Sequence, residues 1–393
     1  MNRLRAYITE MKNRTAFRSM EHLGKWIIGP FLSFLFVMLL PILSYPKDRE
    51  TTAISVAFMI RDGLFPIHSY LEKGNPGIHK SNEISFEYLS LEDLEARMDE
   101  ENATKRKETV EVTIVGVDPE RIERERAERK ESFVKSKAGT LVNEEYFATY
   151  EERLKHYYTI DGVTSIEEGE IDFDKLLNMD LTIAKSSEEM QILIYHTHSQ
   201  EGFADSVPGD ENTTIMGVGE YLASVLREEY GYQVYHHLGK YDVESRDNAY
   251  ARSLPEIKQF LDEHPSIDVV IDLHRDGIDE SAGKLVTNVG ERETAKFMFF
   301  NGISKTNKQG HISYLENPYL QENLAFALQM KQKADAYYPG VTRKNYINGY
   351  RYNMHLKART LLVELGAQNN TVEEARNACD IIAHLLDMVL TGE

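Results

Sequence analysis

Short apolar runs and helical periods alternate through the second half of the chain. Short, mainly apolar runs, each of which predicts a strand, occupy 191–195, 232–236 and 267–273. Between the first two, apolar positions recur at helical spacing from Ile215 to Val225, and Gly231 marks the end of that helix. Residues 254–264 predict a second helix. Strands that alternate with helices predict an α/β fold with a central twisted mixed sheet and helices on both faces.

The pattern continues to the end of the chain. A strand is expected near 295–301, a long helix at 319–337 and a further buried strand at 359–365. Thr371 and Glu374 have the spacing of a capping box, which places the start of a last amphipathic helix there. We therefore expect one folded domain at 161–393.

A different pattern occupies 26–45, an uncharged apolar run of 20 residues. At 1.5 Å per residue, a helix of this length matches a bilayer core of roughly 30 Å. Pro30 and Pro41 are tolerated in membrane-spanning helices, which favours a transmembrane anchor over a buried core helix. A cleaved signal peptide is the closer alternative, but no small residues in the pattern of a cleavage site precede Pro46.

Charge sets the expected orientation of this anchor. The tail at 1–25 carries six basic and two acidic side chains, and basic flanks stay in the cytoplasm. The whole chain has a net charge of −19, and the remaining 39 basic and 62 acidic side chains give the exported part −23. Such a polyanion repels nucleic acid. The single cysteine, Cys379, excludes an intramolecular disulfide and cysteine-rich metal sites.

Residues 46–160 form a charged extracytoplasmic region whose role the sequence leaves open. A strand-like stretch lies at 109–117, and 120–131 is dense in charges of both signs. The latter pattern is typical of an exposed helix with i,i+4 ion pairs or of a solvated spacer.

Side chains that bind metals collect at three predicted strand ends. The first strand runs into HTHSQE, which contains His196, His198 and Glu201; a later strand ends at His274, and another contains Glu364. Sites in α/β sheets form beyond the carboxyl ends of strands, so these residues are expected to converge. Two histidines and one glutamate are a ligand set of catalytic zinc sites with an open fourth position.

Roles follow from position along the strand. His198, at the strand end and three residues before Glu201, is the preferred ligand, whereas His196 lies deeper and suits an orienting role. An ionised Glu364 inside an apolar strand needs a partner or a function. Glu364 is therefore either one partner of a structural ion pair or a general base.

Several strings in order, IYHTHSQE, DLHRDG, ENPYLQENLAFALQMK, RYNMHL and LLVELGAQNNT, resemble the stage II sporulation protein P family. The resemblance covers roughly 185–390. It implies a membrane-anchored, zinc-dependent N-acetylmuramoyl-L-alanine amidase that cuts peptidoglycan during engulfment, with an endopeptidase activity also attributed to the family. It further implies a partner, the stage II sporulation protein D family transglycosylase.

The related amidase type 3 fold implies the same assignment. Its GHGG, SIHA and VECG motifs align with His198, His274 and Glu364, respectively. Its glutamate ligand lies further downstream, so Glu211 is an alternative to Glu201. The HTHSQE string favours Glu201.

The implied mechanism uses Zn²⁺ held by His198, Glu201 and His274, with Glu364 as the general base. Arg275 or His196 is expected to stabilise charge or to orient ligands. Residues before the Glu364 strand are candidate rim residues for sugar and peptide, or else a packing cluster: Tyr346, Tyr350, Tyr352 and Asn353.

Two other classes of function fit parts of the pattern. HSQE also matches the His–x–x–Glu of zinc carboxypeptidases, and HTH matches the opening of metallo-β-lactamase and amidohydrolase sites, although the Asp–His that should follow is absent. A catalytically inactive wall-binding scaffold is the remaining alternative.

Overall fold

The computed structural model describes residues 114–129, 133–137, 147, 149–279 and 281–393. The expected tail at 1–25 and anchor at 26–45 lie outside these residues, as does most of the 46–160 region. No helix within the described part is both long and apolar enough to cross a membrane.

The described helices and strands follow the predicted alternation. The α-helices are α1 Pro119–Arg129, α2 Tyr150–Tyr157, α3 Phe173–Leu177, α4 Ile215–Tyr230, α5 Ala249–Glu263, α6 Leu320–Tyr337 and α7 Val372–Thr391. The strands are β1 Tyr158–Ile160, β2 Ile192–Tyr195, β3 Val234–His236, β4 Val269–Asp276, β5 Val286–Val289, β6 Arg292–Ala295, β7 Phe297–Gly302, β8 Lys305–Thr306, β9 Gly310–His311, β10 Asn345–Asn348 and β11 Thr360–Ala367. The capping box predicted at Thr371 and Glu374 is present at the start of α7.

Seven strands form one mixed sheet in the order β1-β10-β7-β11-β4-β2-β3. Strands β11, β4, β2 and β3 are parallel to one another, and β7 runs antiparallel to β11. The carboxyl ends of β2, β4 and β11 therefore share one edge of the sheet. In the β11–β4 pair, Glu364 lies directly opposite His274. The sheet thus brings together strand ends that are remote in sequence.

The two faces of the sheet bury different cores. On β2, Ile192 and Ile194 belong to the large core formed with α4, α6 and α7. Leu193 and Tyr195 point to the opposite face, because side chains alternate along a strand, and they pack in a smaller core with α5. The expected α/β fold, a mixed sheet flanked by helices, is confirmed.

Elements that precede residue 161 pack into the same core. The charge-dense run at 120–131 is mostly helical as α1, and two of its side chains, Ile122 and Arg126, are buried. Strand β1 pairs with β10 at the sheet edge. Within the strand-like stretch at 109–117, the described residues from 114 onward make only a single bridge, Val115 to Asp210.

Helix α5 begins five residues before the predicted start at 254. The sequence places Pro255 in the first turn, where proline is favoured, whereas the structure accommodates it inside the helix. The extra turn carries Tyr250 towards the edge where β2, β4 and β11 end.

Candidate metal centre

The turn after β2 is held in place by two buried carboxylates. Asp272 accepts hydrogen bonds from the amide and the hydroxyl of Thr197, at 2.9 and 2.7 Å. Asp242 accepts from the Ser199 hydroxyl at 2.6 Å and from the Gln200 amide at 3.1 Å. These bonds fix the backbone on both sides of His198.

His198, Glu201 and His274 converge beyond the strand ends. One potential ligand atom of each lies within 4.8 Å of the others. Nδ1 of His198 is 3.9 Å from Oε1 of Glu201, and Nδ1 of His274 is 3.6 Å from Oε2 of the same carboxylate. Two imidazoles and a carboxylate at this spacing are able to share one cation, because each supplies a donor that zinc accepts.

Glu201 is ionised although it is only 1% exposed. Burial alone would raise its pKa, but the hydrogen bond and charge of His274 and the Arg275 amide together lower the pKa to about 2. The Arg275 amide donates to Oε2 at 2.9 Å, and Nη2 of Arg246 donates to Oε1 at 2.8 Å. The carboxylate is thus negative and fixed in position, as a metal ligand must be.

His198 has the properties of a metal ligand that lacks a protein partner. Both of its ring nitrogens are buried and have no hydrogen-bond partner among the described residues. Burial first, and then the charge of His274, lower the pKa of His198 to about 4, so the ring is neutral at neutral pH. Buried polar atoms are nearly always paired, and a cation would satisfy one of these nitrogens.

His274 lies between two carboxylates. Its Nε2 is 2.8 Å from Oδ1 of Asp272, on the side away from Glu201. Burial alone would lower the pKa of His274, but Asp272 and Glu201 raise it well above its ordinary value. A metal bound through Nδ1 would require that nitrogen to be deprotonated, and the Asp272 carboxylate would remain beside Nε2. A carboxylate behind a ligating histidine is a common feature of zinc sites.

Glu364 faces this cluster from β11. Its Oε2 atom is buried and has no hydrogen-bond partner in the described part of the chain. Burial raises its pKa to about 7, against the lowering effect of His274 and with smaller raising effects from Glu201 and two aspartates. A carboxyl group that ionises near neutral pH suits a general acid and base.

The structure places His196 and Glu211 away from the cluster. His196 is fully buried, and its Nδ1 donates to the Leu273 carbonyl at 2.7 Å, while its Nε2 lies 2.9 Å from Nε2 of His236. His196 therefore bonds to the backbone next to His274 and, among the described residues, forms no hydrogen bond with any of the three clustered side chains. Glu211 forms an ion pair with Lys240 instead.

Arg275 contacts the cluster through its backbone. Its guanidinium donates to the carbonyls of Gly202, at 2.8 Å, and Asp276, at 3.1 Å. These bonds tie the turn after β2 to the end of β4. The side chain is thus engaged with the protein backbone, whereas its amide orients Glu201.

Of the four candidate rim residues, one is connected to the metal centre and three are not. The Tyr352 ring packs edge-on against Tyr250, whose ring centroid lies 5.8 Å from that of His198. Tyr346 donates to Asp161 at 2.6 Å. Tyr350 is exposed, and Asn353 is buried and donates to Ser253 at 2.9 Å. Tyr352 is the rim residue that reaches the centre, and it does so through Tyr250.

Sequence reasoning missed three groups at this site: Asp272, Arg246 and Tyr250. Asp272 is a carboxylate inside an apolar strand, which is the same signal that identified Glu364, so the sequence contained it. Arg246 lies in the loop before α5, and Tyr250 lies in the first turn of α5. The spacing of apolar residues predicts neither a strand nor a helix at these two positions.

A comparison of the sequence with models of known protein families identifies a match. A family model described as stage II sporulation protein P matches residues 66–387. The stage II sporulation protein P of Bacillus subtilis (strain 168) is 22% identical over 210 residues, which are 49% of this chain and 49% of that protein. The chain thus spans about half the length of this curated relative.

Solved structures with a similar chain trace include amidases. The CwlD amidase from Clostridioides difficile, in complex with the GerS lipoprotein, is 12% identical with a TM-score of 0.34, over 52% of this chain and 100% of that one. The N-acetylmuramyl-L-alanine amidase Ami1 from Mycobacterium smegmatis is 13% identical with a TM-score of 0.32, over 53% and 100%.

Proposed function

Because the chain belongs to the stage II sporulation protein P family, we propose that it is a zinc-dependent peptidoglycan hydrolase of sporulation that cleaves the N-acetylmuramoyl–L-alanine amide. One observation carries the proposal: His198, Glu201 and His274 lie within 4.8 Å of one another, and Glu364 is directly opposite His274 in the sheet. The ligand set and the nearby carboxyl group are what metal-assisted amide hydrolysis requires.

His198, Glu201 and His274 would hold the zinc ion. Zinc, when bound, supplies a lowered pKa for water and a polarised amide carbonyl. Glu364 accepts the proton of the attacking water and returns it to the alanine nitrogen as the C–N bond breaks. Burial raises the pKa of Glu364 to about 7, and a bound cation would favour the ionised form that accepts the proton.

The cellular setting is part of the same proposal. The basic tail at 1–25 and the apolar run at 26–45 support a single-pass anchor in the cell membrane, with the catalytic domain on the wall side. By the family resemblance, a transglycosylase of the stage II sporulation protein D family is the partner. Protease added to intact cells should digest the domain at 161–393; protection of the domain would refute this orientation.

Digestion of purified sacculi by the full chain, with products identified by mass spectrometry, tests the reaction. An amidase releases stem peptides with a free alanine amine, and a chelator stops the release. Release of single terminal amino acids would instead indicate a carboxypeptidase.

Zinc content separates both hydrolases from the scaffold alternative. A scaffold binds no stoichiometric zinc, and Glu364→Gln leaves its biology unchanged. Cleavage that continues unchanged in a chelator would falsify the zinc mechanism.

A further inference from the structure

Arg246 joins a buried ligand to the open side of the metal centre. It lies in the loop before α5 and donates Nη2 to Oε1 of Glu201 at 2.8 Å. The Arg246 side chain is 57% exposed, whereas that of Glu201 is 1% exposed. The guanidinium therefore lies between the buried carboxylate and solvent.

Most of the hydrogen-bonding capacity of Arg246 is unused. A guanidinium has five N–H donors in a planar fork, and within the described residues the bond to Glu201 is the one that it makes. Its positive charge also contributes to the low pKa of His198. Arg246 thus lies beside two of the three ligands with donors to spare.

Two other arginines near the strand ends are already committed. The Arg275 guanidinium is bonded to the carbonyls of Gly202 and Asp276. Arg343 donates to the Asp276 carboxylate at 2.5 Å. From the sequence, Arg275 is expected to stabilise charge, but its guanidinium is bonded to the backbone. Of these three arginines, Arg246 is the one whose guanidinium contacts the cluster and has spare donors.

We propose that Arg246 is a catalytic residue that donates to the acyl oxygen of the scissile amide as negative charge develops there. The proposal rests on the function proposed above. Arg246 touches a carboxylate that would help to hold the ion, so its spare N–H donors would be close to an acyl oxygen that the ion polarises. Preorganised donors at such an oxygen lower the barrier of acyl transfer.

The step balances without any further reactant. Water oxygen forms a bond to the carbonyl carbon, the carbonyl electron pair moves onto oxygen, and the water proton passes to Glu364. When the C–N bond breaks, the electron pair re-forms the carbonyl and Glu364 protonates the leaving nitrogen. Arg246 keeps its own proton throughout, because guanidinium does not deprotonate in proteins.

The test compares Arg246→Gln and Arg246→Lys with Arg252→Gln in the full chain. Arg252, on α5, is the matched control, because it pairs with Glu244 at 2.7 Å and, among the described residues, makes no hydrogen bond to His198, Glu201 or His274. For each variant we would measure kcat and KM on a soluble muramyl peptide, zinc affinity by chelator competition, and the affinity of a phosphinate analogue of the amide.

For Arg246→Gln we expect kcat to fall about 100- to 1,000-fold and the phosphinate affinity to fall by a similar factor. KM should stay within about threefold, since the contact with the acyl oxygen strengthens only in the transition state. Zinc affinity should also stay within about threefold, because the Arg275 amide still holds Glu201 when the bond from Arg246 is lost. Arg246→Lys should recover part of kcat through its charge, but not all, because it lacks the fork. Arg252→Gln should match the wild type.

Three results would overturn the role of Arg246: an unchanged kcat, a raised KM with kcat retained, or a loss that saturating zinc restores. The last would make Arg246 a positioning residue for Glu201. If the zinc-loaded wild type releases no stem peptides, the proposed function fails instead, so the two failures are distinguishable.

Discussion

Asp272 is a buried carboxylate beside His274, one of the proposed metal ligands. It lies 2.8 Å from Nε2 of His274 and accepts two hydrogen bonds from Thr197. Asp272→Asn should weaken zinc binding about 10- to 100-fold, because the ring of His274 loses its orienting partner. Chelator competition would measure the change.

Asp268→Asn is the matched control for that change. It removes the same charge one residue before β4 begins, away from His274, and should leave zinc affinity unchanged. Equal zinc affinity in both variants would mean that Asp272 does not orient the ligand.

The ionisation of Glu364 sets the expected pH dependence. Burial raises its pKa to about 7, and the group accepts a proton only when it is ionised, so the rate should fall as pH drops through its pKa. A bound cation favours the ionised form. The acid limb of kcat/KM in the zinc-loaded enzyme should therefore lie below pH 7. A rate that rises on acidification would contradict a base role for Glu364.

Glu364→Gln is the companion variant. It should lower kcat about 100- to 10,000-fold, since proton transfer by the side chain is lost. The same variant should keep its zinc, which separates a proton-transfer defect from loss of the ion.

At the residue scale, the sequence identifies functional side chains when their charge is unusual for the surrounding residues. Glu364 stood out because a carboxylate is costly inside an apolar strand, and Asp272 satisfies the same criterion. Arg246 gave no such signal, because an arginine in a polar loop is the ordinary case. Its importance comes only from the fold, which places it against Glu201.

Helix α4 packs on the sheet through a glycine at a close approach. A Cβ at Gly219 would lie 2.4 Å from Nε2 of His196 and 2.9 Å from Nε2 of His236. Gly219→Ala should lower the free energy of unfolding by about 1–3 kcal/mol, as expected for overpacking of a core. Urea denaturation would measure it.

Gly162→Ala is the control, because no atom lies within 4 Å of a Cβ placed there. Its unfolding midpoint should remain close to that of the wild type. If Gly219→Ala is equally stable, the contact between α4 and the histidine pair is looser than the structure indicates.

At the element scale, periodicity located the strands better than the helix starts. Runs at 191–195, 267–273 and 359–365 correspond to β2, β4 and β11, because fully buried strands have predominantly apolar sequences. The start of α5 was misplaced, since Pro255 is typical of a first turn but is tolerated within this helix. Because of that error, the sequence did not place Tyr250 on a helix near the site.

For the whole molecule, the segment before residue 161 contributes to the same core. Ile122 on α1 is 0% exposed, whereas Ile114 is 70% exposed. Ile122→Ala should destabilise the domain by about 2–5 kcal/mol. Ile114→Ala, the same substitution on the surface, should change stability by less than about 0.5 kcal/mol. Equal unfolding midpoints would show that α1 contributes nothing to the stability of the domain.

The same segment reaches the loop that follows Glu201. The Val115 amide donates to the Gly209 carbonyl at 2.7 Å, and the Asp118 amide donates to Asn212 at 2.7 Å. No pattern in the sequence links these positions, which are about a hundred residues apart. Pairings of this kind depend on the final topology, so the sequence predicted β2, β3, β4, β7 and β11 but neither β1, β10 nor this attachment.

The central claim is that three remote strand ends hold one zinc ion. Crystals of the full chain grown with zinc, measured on both sides of the zinc absorption edge, test it most directly. An anomalous peak should lie at about 2.0–2.2 Å from a nitrogen of His198, a nitrogen of His274 and an oxygen of Glu201. A peak elsewhere, or none at these three residues, would contradict it.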